Sequence, residues 1–119
     1  AKQLWNLKSN TAIVIEKGTY NLAQATPFPN GVDGRLTVGR YGATPITNIQ
    51  IRGESGNPDD VVIVGAGMLK KTVPSCFHIF SAQNVLIADL SIRDCYYHAI
   101  QVDGNQKAKQ VKLYGLKLS

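Results

Sequence analysis

The sequence predicts an all-β fold in which short strands wind into a stacked coil. Three observations carry this. After Pro45 the apolar residues fall in brief runs with no helical period. Those runs are shorter than the five or six residues, roughly, of an ordinary strand, and make poor sandwich material. Most telling, one segment repeats. QNVLIADLSI (Gln83 to Ile92) superposes on KQVKLYGLKL (Lys109 to Leu118), with Val85 on Val111, Ile87 on Leu113, Leu90 on Leu116 and Ile92 on Leu118. A partial third copy, TNIQIRG (Thr47 to Gly53), sets Ile49 and Ile51 on Val85 and Ile87.

Such a repeat is a coil of two or three strands per turn, each turn taking a little over twenty residues by this spacing. Equivalent residues then stack at about 4.8 Å, the strand spacing. Ile49, Ile51, Val85, Ile87, Val111 and Leu113 are expected to point inward. Asn48, Asn84 and Gln110 stand just before the matched pairs. Asn at a bend adopts the left-handed conformation and hydrogen-bonds along its own column. One turn cannot bury its apolar face alone, so several must stack.

The elements follow in order. Leu4, Trp5 and Leu7 have helical spacing, which predicts a short cap helix over Lys2 to Lys8, within residues 1–10. TAIVIEKGTY then supplies β-branched Ile13, Val14 and Ile15, a strand ended by Gly18. From Ala23 to Pro45 the chain is rich in Gly and Pro, interrupted by one strand at Leu36-Thr37-Val38. Residues 11–119 are expected to form about three to four coils of a single domain, a size this length permits.

The hydrophobic fraction of 44% argues against disorder. No apolar run approaches the roughly 18 residues of a spanning helix, so no membrane insertion is expected. No charged n-region and apolar h-region open the chain, so a signal peptide is either already removed or never existed. The net charge of +5 favours acidic partners: polyuronates, nucleic acid or anionic surfaces. The basic residues are scattered, with Lys70-Lys71 the adjacent pair. No basic stripe interleaved with aromatics appears, so nucleic acid is not expected.

The chain resembles the N-terminal portion of right-handed parallel β-helix proteins of the pectate-lyase-like superfamily. The opening helix with TAIVIEKGTY, the segment IRGESGNPDDVVIVGAG and the segment FHIFSAQNVLIADLSIRDCYYHAIQV carry the resemblance, which spans nearly the whole chain. It implies a right-handed parallel β-helix. It implies a secreted, periplasmic or cell-surface protein related to polysaccharide lyases, which cleave acidic polysaccharides by β-elimination. Family members have more coils than are counted here. The chain is therefore expected to be a truncated portion, its last coil covered by further coils of the same chain or by a docking partner. Ca²⁺ is a family cofactor, yet no acid cluster for it is visible in this segment. The alternative is a non-catalytic structural or polysaccharide-binding scaffold, since fold does not imply function.

The residues that could carry chemistry are few. His78 and His98 are the histidines, 20 residues apart. Either could serve as a general base, but no third ligand is placed for a metal, and no metal site is expected. Arg93, next to Asp94, could neutralise a uronate carboxylate or form an ordinary ion pair at a bend. His98 and Arg93 are thus the catalytic candidates. Lys70 and Lys71 on a loop, and Tyr96 and Tyr97 by stacking, are candidates for binding sugar. Asp59-Asp60 follows a turn and lacks a calcium-loop spacing. Cys76 and Cys95 lie two or three residues short of one turn apart. A two-residue lateral shift is roughly 7 Å, at the limit for a bridge, so free thiols are expected.

Overall fold

The computed structural model describes residues 7–24, 36–39, 44–67, 75–104 and 107–119. These hold eleven strands: β1 (Thr11–Ile15), β2 (Gly18–Asn21), β3 (Leu36–Val38), β4 (Ile46–Gly53), β5 (Val61–Val64), β6 (Ser75–Ile79), β7 (Ala82–Ala88), β8 (Ser91–Arg93), β9 (His98–Val102), β10 (Lys109–Tyr114) and β11 (Lys117–Leu118). One 3-10 turn, Leu22–Gln24, follows β2. The expected cap helix falls mostly outside the described residues; Leu7 and Lys8, which are described, are not helical.

All strand pairing is parallel, in three sheets. Sheet A runs β1-β4-β7-β10, sheet B β2-β5-β8-β11 and sheet C β3-β6-β9. The chain visits A, B and C in rotation, and each return adds one strand beside the last. Parallel neighbours need a long connection, and here the other two sheets provide it.

The register is the one the repeat predicts. Ile49 pairs with Val85 and Ile51 with Ile87; Val85 pairs with Val111 and Ile87 with Leu113. Ile49, Ile51, Val85 and Ile87 are buried with Val61, Ile63, Phe77, Ile79, Leu90 and Ile92 in one core enclosed by the three sheets. Val111 packs against that core partly buried, while Leu113 is 48% exposed. Both sit on β10, the end strand of sheet A, so no described strand covers them. Val102 on β9 and Leu118 on β11 are exposed at the same end for the same reason.

The turns are not of one length. Asn10 and Asn48 stand 38 residues apart in one column and Asn48 and Asn84 36 apart. Only the last step, Val85 to Val111, has the short spacing seen in the repeat. The connections between sheets absorb the difference, because loops tolerate length that strands do not.

Asn10, Asn48, Asn84 and Gln110 all have positive φ, from 54° to 62°. Asn84 Nδ2 donates to Asn48 Oδ1 at 2.6 Å, and Asn48 Nδ2 donates to Asn10 Oδ1 at 2.7 Å. The left-handed backbone creases sheet A at the same place in every coil, and the amides bond along the crease.

The cysteines correct the expectation of free thiols. Cys76 and Cys95 form a disulfide, with Cα atoms 5.7 Å apart. Ser75 pairs with His98, so an extended chain would put Cys95 four residues from the place opposite Cys76. It is not extended. Asp94 has φ 59°, and the segment from Asp94 to Tyr97 bends, drawing Cys95 back toward β6. Counting 3.3 Å or so per residue holds within a strand and fails across this corner.

Two outcomes test this arrangement. Ile87→Asp places an unpaired charge in the core and should cost about 4 kcal/mol or more, removing the β-sheet circular dichroism; a folded variant with an unchanged spectrum would put Ile87 outside the coil. Replacing both cysteines with serine releases a loop whose closure is worth about 3 kcal/mol, so the denaturant midpoint should fall accordingly. An unchanged midpoint would mean that the bridge does not form in solution.

Candidate functional site

Most of the candidate residues converge on one corner, where β8 of sheet B passes into β9 of sheet C. Arg93 ends β8, His98 begins β9, and Asp94, Cys95, Tyr96 and Tyr97 lie between. The previous coil holds this corner. Gly65 N–H donates to the Arg93 carbonyl and Gly67 N–H to the Asp94 carbonyl, both at 2.9 Å. A Cβ at Gly65 would run into that Asp94 carbonyl oxygen, so the close approach requires glycine there. The Cys76–Cys95 bridge fixes the corner from the other side.

On this support sits an aromatic array. Tyr96 is half-buried and meets Tyr97 edge to face, ring centroids 4.5 Å apart and planes at 86°. Tyr97 is 59% exposed. The His98 ring follows at 6.4 Å from Tyr97, tilted by 39°, and is exposed too. An exposed ring backed by a second ring offers a flat apolar face with a hydroxyl at its rim, which suits the C–H face of a sugar.

Arg93 is engaged with its neighbour. Its Nη1 lies 2.9 Å from Asp94 Oδ2, and the two side chains are 50% and 47% exposed. A pair this wet contributes little to stability, and it spends the guanidinium on a carboxylate of the same chain. His78 is not part of the corner. It pairs in register with Gln101, and its ring meets Phe80 edge-on at 4.8 Å. His98 lies three positions from Gln101 on the same strand and pairs in register with Ser75. Among the described residues no group of three His, Cys, Asp or Glu is placed to hold a metal. Asp59 and Asp60 are each paired with a lysine: Lys117 Nζ reaches Asp59 at 2.6 Å and Lys17 Nζ reaches Asp60 at 3.8 Å. Lys70 and Lys71 lie outside the described residues.

The structure also assembles a surface that no single motif announces. Between the inward positions of sheet A stand two outward columns: Ala12, Gln50, Leu86 and Lys112, then Val14, Arg52, Ala88 and Tyr114, of which Ala88 is buried. Arg52 Nε donates to Gln50 Oε1 at 3.1 Å, and Tyr114 is 72% exposed. The repeat already contained the signal, since these residues alternate with the matched apolar ones.

No family model, curated protein or solved structure matches the chain. No described helix is long and apolar enough to cross a membrane.

The Arg93–Asp94 pair gives a direct check on its weight. Asp94→Asn keeps a residue that tolerates positive φ and removes the charge, and should change unfolding free energy by less than about 1 kcal/mol. A larger loss would show that the pair holds the corner together.

Proposed function

We propose that this chain is part of a right-handed parallel β-helix that binds acidic polysaccharide outside the cell. The handedness follows the rule that crossovers between parallel strands of one sheet are right-handed in about 98% of cases. Extracellular location is favoured by the buried Cys76–Cys95 bridge, because disulfides persist in oxidising compartments. The net charge of +5 favours an anionic partner. In this reading the apolar coil end at Val102, Leu113 and Leu118 takes a further layer of strands that completes the stack.

The observation that carries a sugar as ligand is the corner itself. Tyr97 is held out to solvent on a backbone tied down by two hydrogen bonds and a disulfide. Presenting a large ring at low conformational cost is what a binding platform requires. Relation to the polysaccharide lyases is part of the proposal, resting on the sequence resemblance. Elimination needs a base within hydrogen-bond reach of the substrate proton and a cation on the carboxylate. Arg93 already bonds Asp94, so the described residues favour binding over turnover.

Titration with polyuronate at low salt tests this reading. Tyr97→Ala should weaken binding by roughly fivefold, the worth of one aromatic contact. The chain should release no unsaturated product, read by ultraviolet absorbance. Unchanged affinity in Tyr97→Ala removes the corner from the binding surface, and steady product formation that His98→Ala abolishes would make it an active site.

A further inference from the structure

We infer that His98 is the residue at the β8–β9 corner that tells an acidic sugar from a neutral one, and that it acts as a cation, so the corner takes up a proton when it binds a uronate. The inference rests on the corner as a sugar platform and adds the group that reads the carboxylate.

The charge of the corner is the first support. Arg93 lies 2.9 Å from Asp94, so the two cancel. Residues 61–67, which hold the corner through Gly65 and Gly67, include no ionisable side chain. On the other side β6 contributes His78 and the bridged Cys76. Tyr96 and Tyr97 complete the corner, and Asp103 lies beyond the far end of β9. With a neutral imidazole these residues offer an anion no unspent cation. An imidazole gains its charge between about pH 5 and 8, a range outside which phenols and carboxylic acids ordinarily titrate.

The geometry is the second support. The His98 ring centre lies 6.4 Å from that of Tyr97. In a pyranuronate a carboxylate oxygen stands roughly 4 Å from the centre of its own ring, and a charge-assisted hydrogen bond adds about 2.8 Å. A sugar seated on Tyr97 therefore has its carboxylate within reach of the next ring along the chain. His98 is exposed, and among the described residues no hydrogen bond or ion pair occupies its ring. Its backbone is nevertheless fixed. His98 opens β9 in register with Ser75, three residues after the bridged Cys95. A donor held this way gives up little freedom on binding.

The protonated ring donates N–H to the carboxylate oxygen with the added strength of its charge. A carboxylate beside an imidazole favours the charged form. Binding near neutral pH therefore draws a proton from solution, and affinity falls as pH rises through the histidine range.

Isothermal titration of the full chain with a (1→4)-linked uronate hexamer at low salt tests the assignment. The wild type should bind about tenfold more tightly at pH 5.5 than at pH 8. Near pH 7 the heat should differ between buffers of unlike ionisation enthalpy, as proton uptake requires. His98→Ala should bind weakly at both pH values with an unchanged melting temperature, and His98→Lys, a permanent cation, should bind tightly at both. The neutral hexamer of the same linkage should bind more weakly, with no pH dependence. Equal wild-type affinity at the two pH values overturns the inference, as does a pH dependence that survives in His98→Ala, which would belong to His78. If Tyr97→Ala is impaired but wild-type affinity ignores pH, the platform stands and the role of His98 falls. If Tyr97→Ala keeps both the affinity and the pH dependence of the wild type, the platform falls and recognition of the acid by His98 stands. No binding by the wild type at either pH refutes both.

Discussion

The structure depends on a fixed register between parallel strands that are far apart in sequence. A slip of one residue would turn every inward side chain out, because side chains alternate along a strand. The apolar columns resist such a slip, and so does the amide column Asn10–Asn48–Asn84. An amide in the left-handed bend reaches the amide of the next coil only when the two bends are level. Positive φ is costly for a residue other than glycine. Two short side-chain hydrogen bonds offset that cost here and would be lost together if the coils slid. At the same position on β10 stands Gln110, with φ 54°. The crease therefore persists where the asparagines stop, carried by the backbone of the column below.

Once register is fixed, connection length matters little. The first two turns carry excursions that make them far longer than the last, yet Ile49, Val85 and Val111 still stack. Closing a longer loop adds only about 0.6 kcal/mol per doubling of its length. Burying one more isoleucine contributes roughly 1.5–3 kcal/mol. The core columns therefore outweigh the loops, and variation collects at the corners between sheets.

This division explains what was legible in the sequence. Ile49, Ile51, Val85, Ile87, Val111 and Leu113 were readable because a strand's period of two and the repeat both point to them. Asn48 and Asn84 were readable because few residues accept that bend. The Cys76–Cys95 bridge was not, since it depends on how the chain folds back after Asp94, and no strand spacing describes a corner. The corner site was half legible. Tyr96, Tyr97 and His98 are adjacent in sequence, so their proximity was no surprise. The engagement of Arg93 by Asp94 was open between two readings, and the geometry chose the ion pair. The outward columns that hold Arg52 and Lys112 were legible too, since they alternate with the matched apolar residues in the three aligned copies.

The outer face of sheet A and the β8–β9 corner rest on different parts of this construction. The outer face of sheet A is a product of register: Gln50, Leu86 and Lys112 line up because Ile51, Ile87 and Leu113 do. Anything that preserves the core columns preserves that face. The corner is a product of local covalent and backbone ties: the disulfide, the two carbonyls met by Gly65 and Gly67, and the bend at Asp94. Opening the bridge would free Tyr97 from its platform while leaving the columns of sheet A in place. An exposed ring on a loosened loop loses side-chain and backbone entropy again on binding. The bridge therefore matters to the corner as a means of holding an aromatic side chain ready, beyond its effect on stability. The sheet face needs no such device, because stacked strands already hold its side chains at a constant spacing.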